Sequence, residues 1–252
     1  VNMKSKYRIA AAPVGLLVLA ALALPLRSQA EEQPIQLNPV SIQGVSGTIL
    51  ASLEKLNKGR QAFERSARRT DAMSLRWQIR HRTGDAKAAG QTRLQLQTEA
   101  ADFALPLADD GTFVLPAEVS GVTSGQILAS HKQLLIRPLV ETQGSSPEQR
   151  YLGDLRLECE VFWAMEKDEV PALMRMAFSM AGGACNSGRI EMPSLSPFLL
   201  EAATLTYEGR ELPLRLGKTL RDYRAPLHDS AWPDRALVRL VPKPAKAESG
   251  AQ

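Results

Sequence analysis

Aromatic side chains are scarce in this sequence: six Phe, four Tyr and three Trp among 252 residues. A core built from it must therefore rest on Leu, Val, Ile, Ala and Met. Cysteine is scarcer still, limited to Cys159 and Cys185. They form no C-x-x-C motif, and neither is flanked by His. The three histidines, His81, His131 and His228, stand apart, without H-x-x-x-H spacing or a neighbouring ligand-type cluster. The usual linear zinc signatures are thus missing. A phosphate-binding loop is missing too. Gly217-Lys218-Thr219 supplies its closing residues, but the opening glycine of G-x-x-x-x-G-K-[ST] falls on Leu212, so the backbone has no glycine with which to wrap a phosphate. No cofactor is expected.

A surplus of one charge is also lacking once the first thirty residues are set aside. The whole chain carries 31 Lys+Arg against 27 Asp+Glu. Lys4, Lys6, Arg8 and Arg27 precede residue 31 and no acidic residue does; 31 less these four is 27, so the remainder is formally neutral. The electrostatic footprint of a nucleic-acid binder is absent, and nucleic acid is not an expected partner. A local basic cluster, Arg65, Arg68 and Arg69 followed by Arg76, Arg80 and Arg82, reads as the solvated face of a helix and then of a strand.

What the first thirty residues do contain is a three-part export pattern. A basic n-region precedes the apolar stretch Ile9 to Leu26, and Arg27-Ser28-Gln29-Ala30 places small residues at the −3 and −1 positions. Residues 1–30 are therefore expected to be a signal peptide, with Val1 and Asn2 ahead of the initiator Met3, and the periplasm the expected compartment. The rival is an inner-membrane anchor, opposed by Pro13 and Pro25, which interrupt the roughly 20 apolar residues a spanning helix needs. No later segment is long and apolar enough to span. In an oxidising compartment Cys159 and Cys185 are expected to pair, closing a 26-residue separation.

Along the rest of the chain, residues 31–47 read as an extended lead-in. From Thr48 to Arg69, Leu50, Leu53, Leu56, Phe63 and Ala67 recur at helical spacing. The period then becomes two at Met73, Leu75, Trp77 and Ile79, with further strands at Leu94 and Leu96, at Phe103 to Leu107, and at Lys132 to Val140. The Asp110-Gly111 turn predicts a hairpin between Phe103–Leu107 and Thr112–Pro116. Leu155, Leu157, Cys159, Val161 and Trp163 alternate as in a central strand. Asp168 is placed to cap a short helix through Met180 that Gly182-Gly183 ends. Another hairpin turns at Glu208-Gly209, and Ala236–Val241 reads as the last strand. The expected class is strand-rich α+β, with antiparallel, sandwich-like sheets, one long N-terminal helix and one short helix after the central strand. Residues 48–150 form a helix plus sandwich-like region, 151–241 a second β-rich region with the disulfide, and 242–252 a disordered tail.

The segment Ala101 to Pro116, with Asp110-Gly111-Thr112-Phe113, resembles the carboxypeptidase regulatory-like (transthyretin-like) sandwich family. Gly153-Asp154-Leu155-Arg156-Leu157-Glu158-Cys159-Glu160 resembles a segment of uncharacterised exported proteobacterial proteins. These resemblances imply a small β-sandwich with a binding or packing role, and neither implies a catalytic residue.

Three functional readings follow. The first is a non-enzymatic binding or structural protein of the bacterial envelope, its partner a protein or other envelope component. The second is an envelope hydrolase assembled from distant residues such as Ser52, His228 and Asp229. Ser52-Leu53-Glu54-Lys55 matches the S-x-x-K nucleophile motif, although its S-D-N and K-T-G companions are missing. The third is a soft-metal site. Met165, Met174, Met176 and Met180 lie close in sequence, and Met174, Met176 and Met180 are the candidate thioether ligands for Cu(I). Against this, Met also fills irregular cores, and Leu173 and Ala177 on the same helix are expected to face inward.

Overall fold

The computed structural model describes residues 47–67, 71–81, 91–189 and 191–244. The signal segment, nearly all of the lead-in, the end of the tail, Arg68, Arg69 and Arg82 lie outside the described residues. The described residues belong to one compact unit.

The chain opens with β1 (Thr48–Ser52) and α1 (Leu53–Ala67), then β2 (Ala72–His81), β3 (Leu94–Gln97), β4 (Asp102–Leu105), β5 (Thr112–Phe113), β6 (Gln126–Ala129), β7 (Leu134–Thr142) and β8 (Gln149–Tyr151). Two helices follow, α2 (Leu152–Glu166) and α3 (Ala172–Met180). The chain ends with β9 (Ser194–Leu195), β10 (Leu200–Tyr207), β11 (Arg210–Pro213), β12 (Arg215–Leu216), β13 (Asp222–Arg224) and β14 (Leu237–Pro242). These strands make four sheets, ordered β1-β6-β3-β4, β5-β2-β7, β11-β10-β14-β8 and β12-β13-β9. Every pairing is antiparallel. The protein is strand-rich α+β.

Three local expectations are corrected. Thr48–Ser52 is a strand paired with β6, not the first turn of the helix. Ser52 ends it and caps α1, its Oγ accepting from Lys55 N at 3.2 Å. The Asp110-Gly111 turn forms, with Gly111 N donating to Ala108 O and Ala108 N to Thr112 O, but no hairpin results. β4 pairs with β3 and β5 with β2, so the turn passes the chain from one sheet to another. At Glu208-Gly209, by contrast, β10 and β11 do form the expected two-residue hairpin.

The largest correction concerns Leu155 to Trp163, which is helical. At about 100° per residue, alternate apolar positions fall on nearly opposite faces of a helix. The alternation is two interleaved i, i+4 series. Leu157, Val161 and Met165 join the hydrophobic cluster built by α1 and the first two sheets, around Leu53, Leu56, Trp77, Ile79 and Leu96. Leu152, Leu155 and Cys159 join the second cluster, around Leu200, Leu205, Tyr223, Trp232 and Val238. One helix thus supplies side chains to two cores, a role a strand of this length with one buried face does not serve.

α1 packs closely on α2. A Cβ added at Gly59 would lie 2.8 Å from Trp77 Cη2 and 2.9 Å from Met165 Cγ. Alanine gains about 1 kcal/mol of helix propensity there but overpacks a rigid indole, which costs about 1–3 kcal/mol. Gly59→Ala is expected to lower the unfolding free energy by about 1 kcal/mol in urea titration. A more stable variant would show that the two helices separate without cost.

Candidate functional site

Strand β2 turns Leu75, Trp77 and Ile79 to the core and Arg76, Gln78 and Arg80 to its other face. Register places Arg137 of β7 opposite Gln78, and Leu139 opposite Arg76, on that same polar face. Arg76 is fully engaged: Glu141 accepts from its Nε and Nη2 at 3.0 and 2.8 Å, and Thr112 Oγ1 accepts from Nη1 at 2.9 Å. Asp110 lies 3.0 Å from the same nitrogen.

The other two arginines of this face lie closer to α2. Arg137 stacks over the Phe162 ring, 3.8 Å from its centroid. Arg80 makes no ion pair among the described residues, and its buried Nε has no hydrogen-bond partner there. The expectation of a solvated basic face therefore fails at Arg80. Burial pushes its pKa down to about 10, with the Glu158 charge opposing that shift and Arg221 and Arg150 adding to it. Arg80 remains a cation at neutral pH.

A third arginine comes from β8. Arg150 is buried, and its Nη2 donates to Glu158 Oε1 at 2.6 Å and to Val140 O at 2.7 Å. Val140 N donates to the same Glu158 oxygen at 2.9 Å. Burial alone would lower Arg150, but the Glu158 carboxylate outweighs it and holds the guanidinium above its ordinary value. Arg150 Nε is buried without a partner. Glu158 and Phe162 stand one turn apart on the flank of α2 between its two apolar faces. Together with Gln78, Arg137, Arg150 and the strand at Ser194 they line a cleft with about 60 Å³ of internal room. Ser194 pairs with Tyr223, so their side chains share a face. The Tyr223 hydroxyl is fully buried and makes no hydrogen bond of standard geometry among the described residues. Burial pushes its pKa up, and Arg150 pulls the other way.

A different kind of surface lies on α3. Leu173, Met174, Met176 and Met180 are 76%, 51%, 59% and 80% exposed, and Ala177 between them is exposed too. The expectation that Leu173 and Ala177 face a core is overturned. The helix is held from its other side, where Phe178 meets Trp163 of α2 edge-on at 5.1 Å. Its exit is a Schellman turn, with Gly183 N donating to Phe178 O at 2.8 Å and Gly182 N to Ser179 O at 3.2 Å. Gly182 and Gly183 supply the positive φ that this turn requires. Two residues on, Cys185 forms the expected disulfide with Cys159, joining the exit of α3 to a helix rather than to a strand. Pro171, not Asp168, precedes the first turn of α3, and no side chain caps it. Asp168 instead pairs with Lys58 of α1.

The remaining sequence candidates are dispersed. Lys55 Nζ binds Glu166 and Glu169 at 2.8 and 2.9 Å. Burial would lower this lysine, but the two carboxylates outweigh it and hold it above its ordinary value, the opposite of what a general base needs. Ser52 serves as the α1 cap, and no hydrogen bond joins it to His228 or Asp229 among the described residues. Those two residues sit in a loop fastened by Arg156, which donates to the carbonyls of Leu227, Asp229 and Trp232. Met176 and Met180 share the exposed arc of α3, Met174 projects about 160° from Met176, and Met165 is buried against α1. Among the described residues no cluster of His, Cys, Asp and Glu is arranged to hold a metal ion. No helix there is long and apolar enough to cross a membrane.

No protein-family model, curated protein or solved structure matches this chain. Its residues carry the functional reading by themselves. Sequence reasoning missed the arginine cleft because its members come from β2, β7, β8 and α2. The only linear hint was a cluster of arginines at even spacing in a strand.

Proposed function

We propose that this chain is an exported, non-enzymatic binding protein of the bacterial envelope that docks a partner protein on the apolar arc of α3. The observation that carries this reading is the exposure of Leu173, Met176 and Met180, with Ala177 between them, along one arc of a short helix. Contiguous exposed apolar side chains are costly in water and mark interaction surfaces. Thioethers suit such a surface because they are polarisable and adapt their rotamers to a partner. The disulfide supports an oxidising compartment, in keeping with the N-terminal export pattern.

A protein partner fits better than a lipid surface. Helices that lie on membranes are rich in Lys and Arg. The only basic residue on α3 is Arg175, which faces Asp168 at 3.5 Å. The rim is thus largely neutral, and the matching surface is apolar. The test is site-specific photo-crosslinking from position 176 in intact envelopes, with position 211, on the exposed strand β11, as control. A discrete adduct with another protein is expected from position 176 and not from 211. Leu173→Ser with Met180→Ser should weaken it by about tenfold or more. Identical adducts from both positions, or adducts only with a second copy of this chain, would reject the reading.

A further inference from the structure

The thioethers of α3 carry a chemistry that packing alone does not use. Met174, Met176 and Met180 stand open to solvent, whereas Met165 is 3% exposed and Met192 is half-buried. Other groups that an oxidant could attack are withdrawn. Both cysteines are paired and none is free, so the chain offers no thiolate. The indoles of Trp77 and Trp232 are buried. Met176 and Met180 lie one turn apart on the arc, next to Leu173 and Ala177, whose side chains have no hydrogen to donate. Oxidation of accessible sulfur is thereby concentrated on the surface that meets the partner.

We propose that Met176 and Met180 are a reversible oxidation site, and that their conversion to sulfoxides releases the partner from α3. The oxidant is a hydroperoxide, in the simplest case hydrogen peroxide. The sulfur lone pair attacks one peroxide oxygen, the S–O bond forms and the O–O bond breaks. The departing hydroxide takes the proton of the transferred oxygen and leaves as water. Sulfur loses two electrons and the peroxide gains them. The product replaces an apolar, adaptable side chain with a strong hydrogen-bond acceptor. Docked against apolar groups, that acceptor loses its water and finds no donor. Leucine would give comparable apolar area and helix propensity; the thioether adds polarisability and this reactivity. Reversal takes a dithiol enzyme of the methionine sulfoxide reductase class, the oxygen leaving as water while the dithiol becomes a disulfide. Release rests on the docking reading above; the selectivity of oxidation does not.

The test treats the full chain with limiting hydrogen peroxide and maps it by peptide mass spectrometry. Met176 and Met180 are expected to gain one oxygen about tenfold faster than Met165, or more. Equal rates at Met165 and on α3 would overturn the site. For release, the photo-crosslinker is moved to position 177, which leaves both thioethers in place. Peroxide is expected to lower the adduct by about tenfold or more, and reductases acting on both sulfoxide epimers to restore it. In Met176→Leu with Met180→Leu, peroxide should leave whatever adduct forms undiminished. An adduct that survives oxidation of both thioethers, or that peroxide removes equally from the leucine variant, would overturn release. A chain that gives no adduct before peroxide is added fails the docking reading and the release step with it. The mass map decides the oxidation site on its own.

Discussion

Replacing Glu158 with alanine is expected to lower the unfolding free energy by about 3–5 kcal/mol, the largest effect of any single substitution considered for this protein. The substitution leaves Arg150 buried with one carbonyl partner, Val140 O, and removes the acceptor of Val140 N. It also strips the negative charge from a cleft that Arg137 lines as well. An uncompensated buried cation is what makes breaking such a pair costly. The pair itself is worth much less, because both ions gave up hydration to enter the cleft. The double replacement Arg150→Met with Glu158→Leu is therefore expected to be substantially more stable than Glu158→Ala alone. Urea unfolding of the three proteins is the measurement. A double variant as unstable as the single one would show that packing at this flank of α2, not charge, sets the cost.

Removing the disulfide is expected to cost about 3 kcal/mol on the chain-entropy estimate for a loop of this size, and the loss should be uneven. None of the α3 residues is fully buried. The helix depends on Cys185, on the Phe178–Trp163 contact and on the Arg175–Asp168 pair. The sheet of β5, β2 and β7 has no such dependence, since its core residues belong to the first cluster. Cys159→Ala with Cys185→Ala should thus raise amide exchange across residues 172–185 before it affects β2 or β7. Crosslinking from position 176 should fall in parallel, because the apolar arc would no longer be presented on an ordered helix. Equal protection of 172–185 in the two proteins would show that the bridge is dispensable for α3.

Much of the fold is legible in the linear chain, and the reasons are local. β2 and β3 follow from alternation, β10 and β11 from a two-residue turn, and the C-terminal end of α3 from paired glycines. The disulfide follows from two cysteines and an export pattern. Local signals fail where one segment serves two masters. Leu155 to Trp163 carries the period of a strand because α2 places one i, i+4 series in each of two cores, and nothing short of the tertiary structure reveals the second core. Asp110-Gly111 fixes a turn but not its partners, since strand pairing is settled by distant residues.

The candidate surfaces divide in the same way. The composition of α3, with its run of methionines, is visible in the chain, yet whether they face a core or solvent depends on the Phe178–Trp163 contact that orients the helix. Arg80 reads as an ordinary solvated residue because its spacing matches the polar face of a half-buried strand. Only in the folded protein is its Nε buried, and only there do the charges of Glu158, Arg221 and Arg150 reach it. Sequence alone determined periodicity, turns, the cysteine pair and the balance of charge, all of which depend on near neighbours. The tertiary structure decided which faces are covered and which charges converge, because burial and electrostatics depend on distance in space.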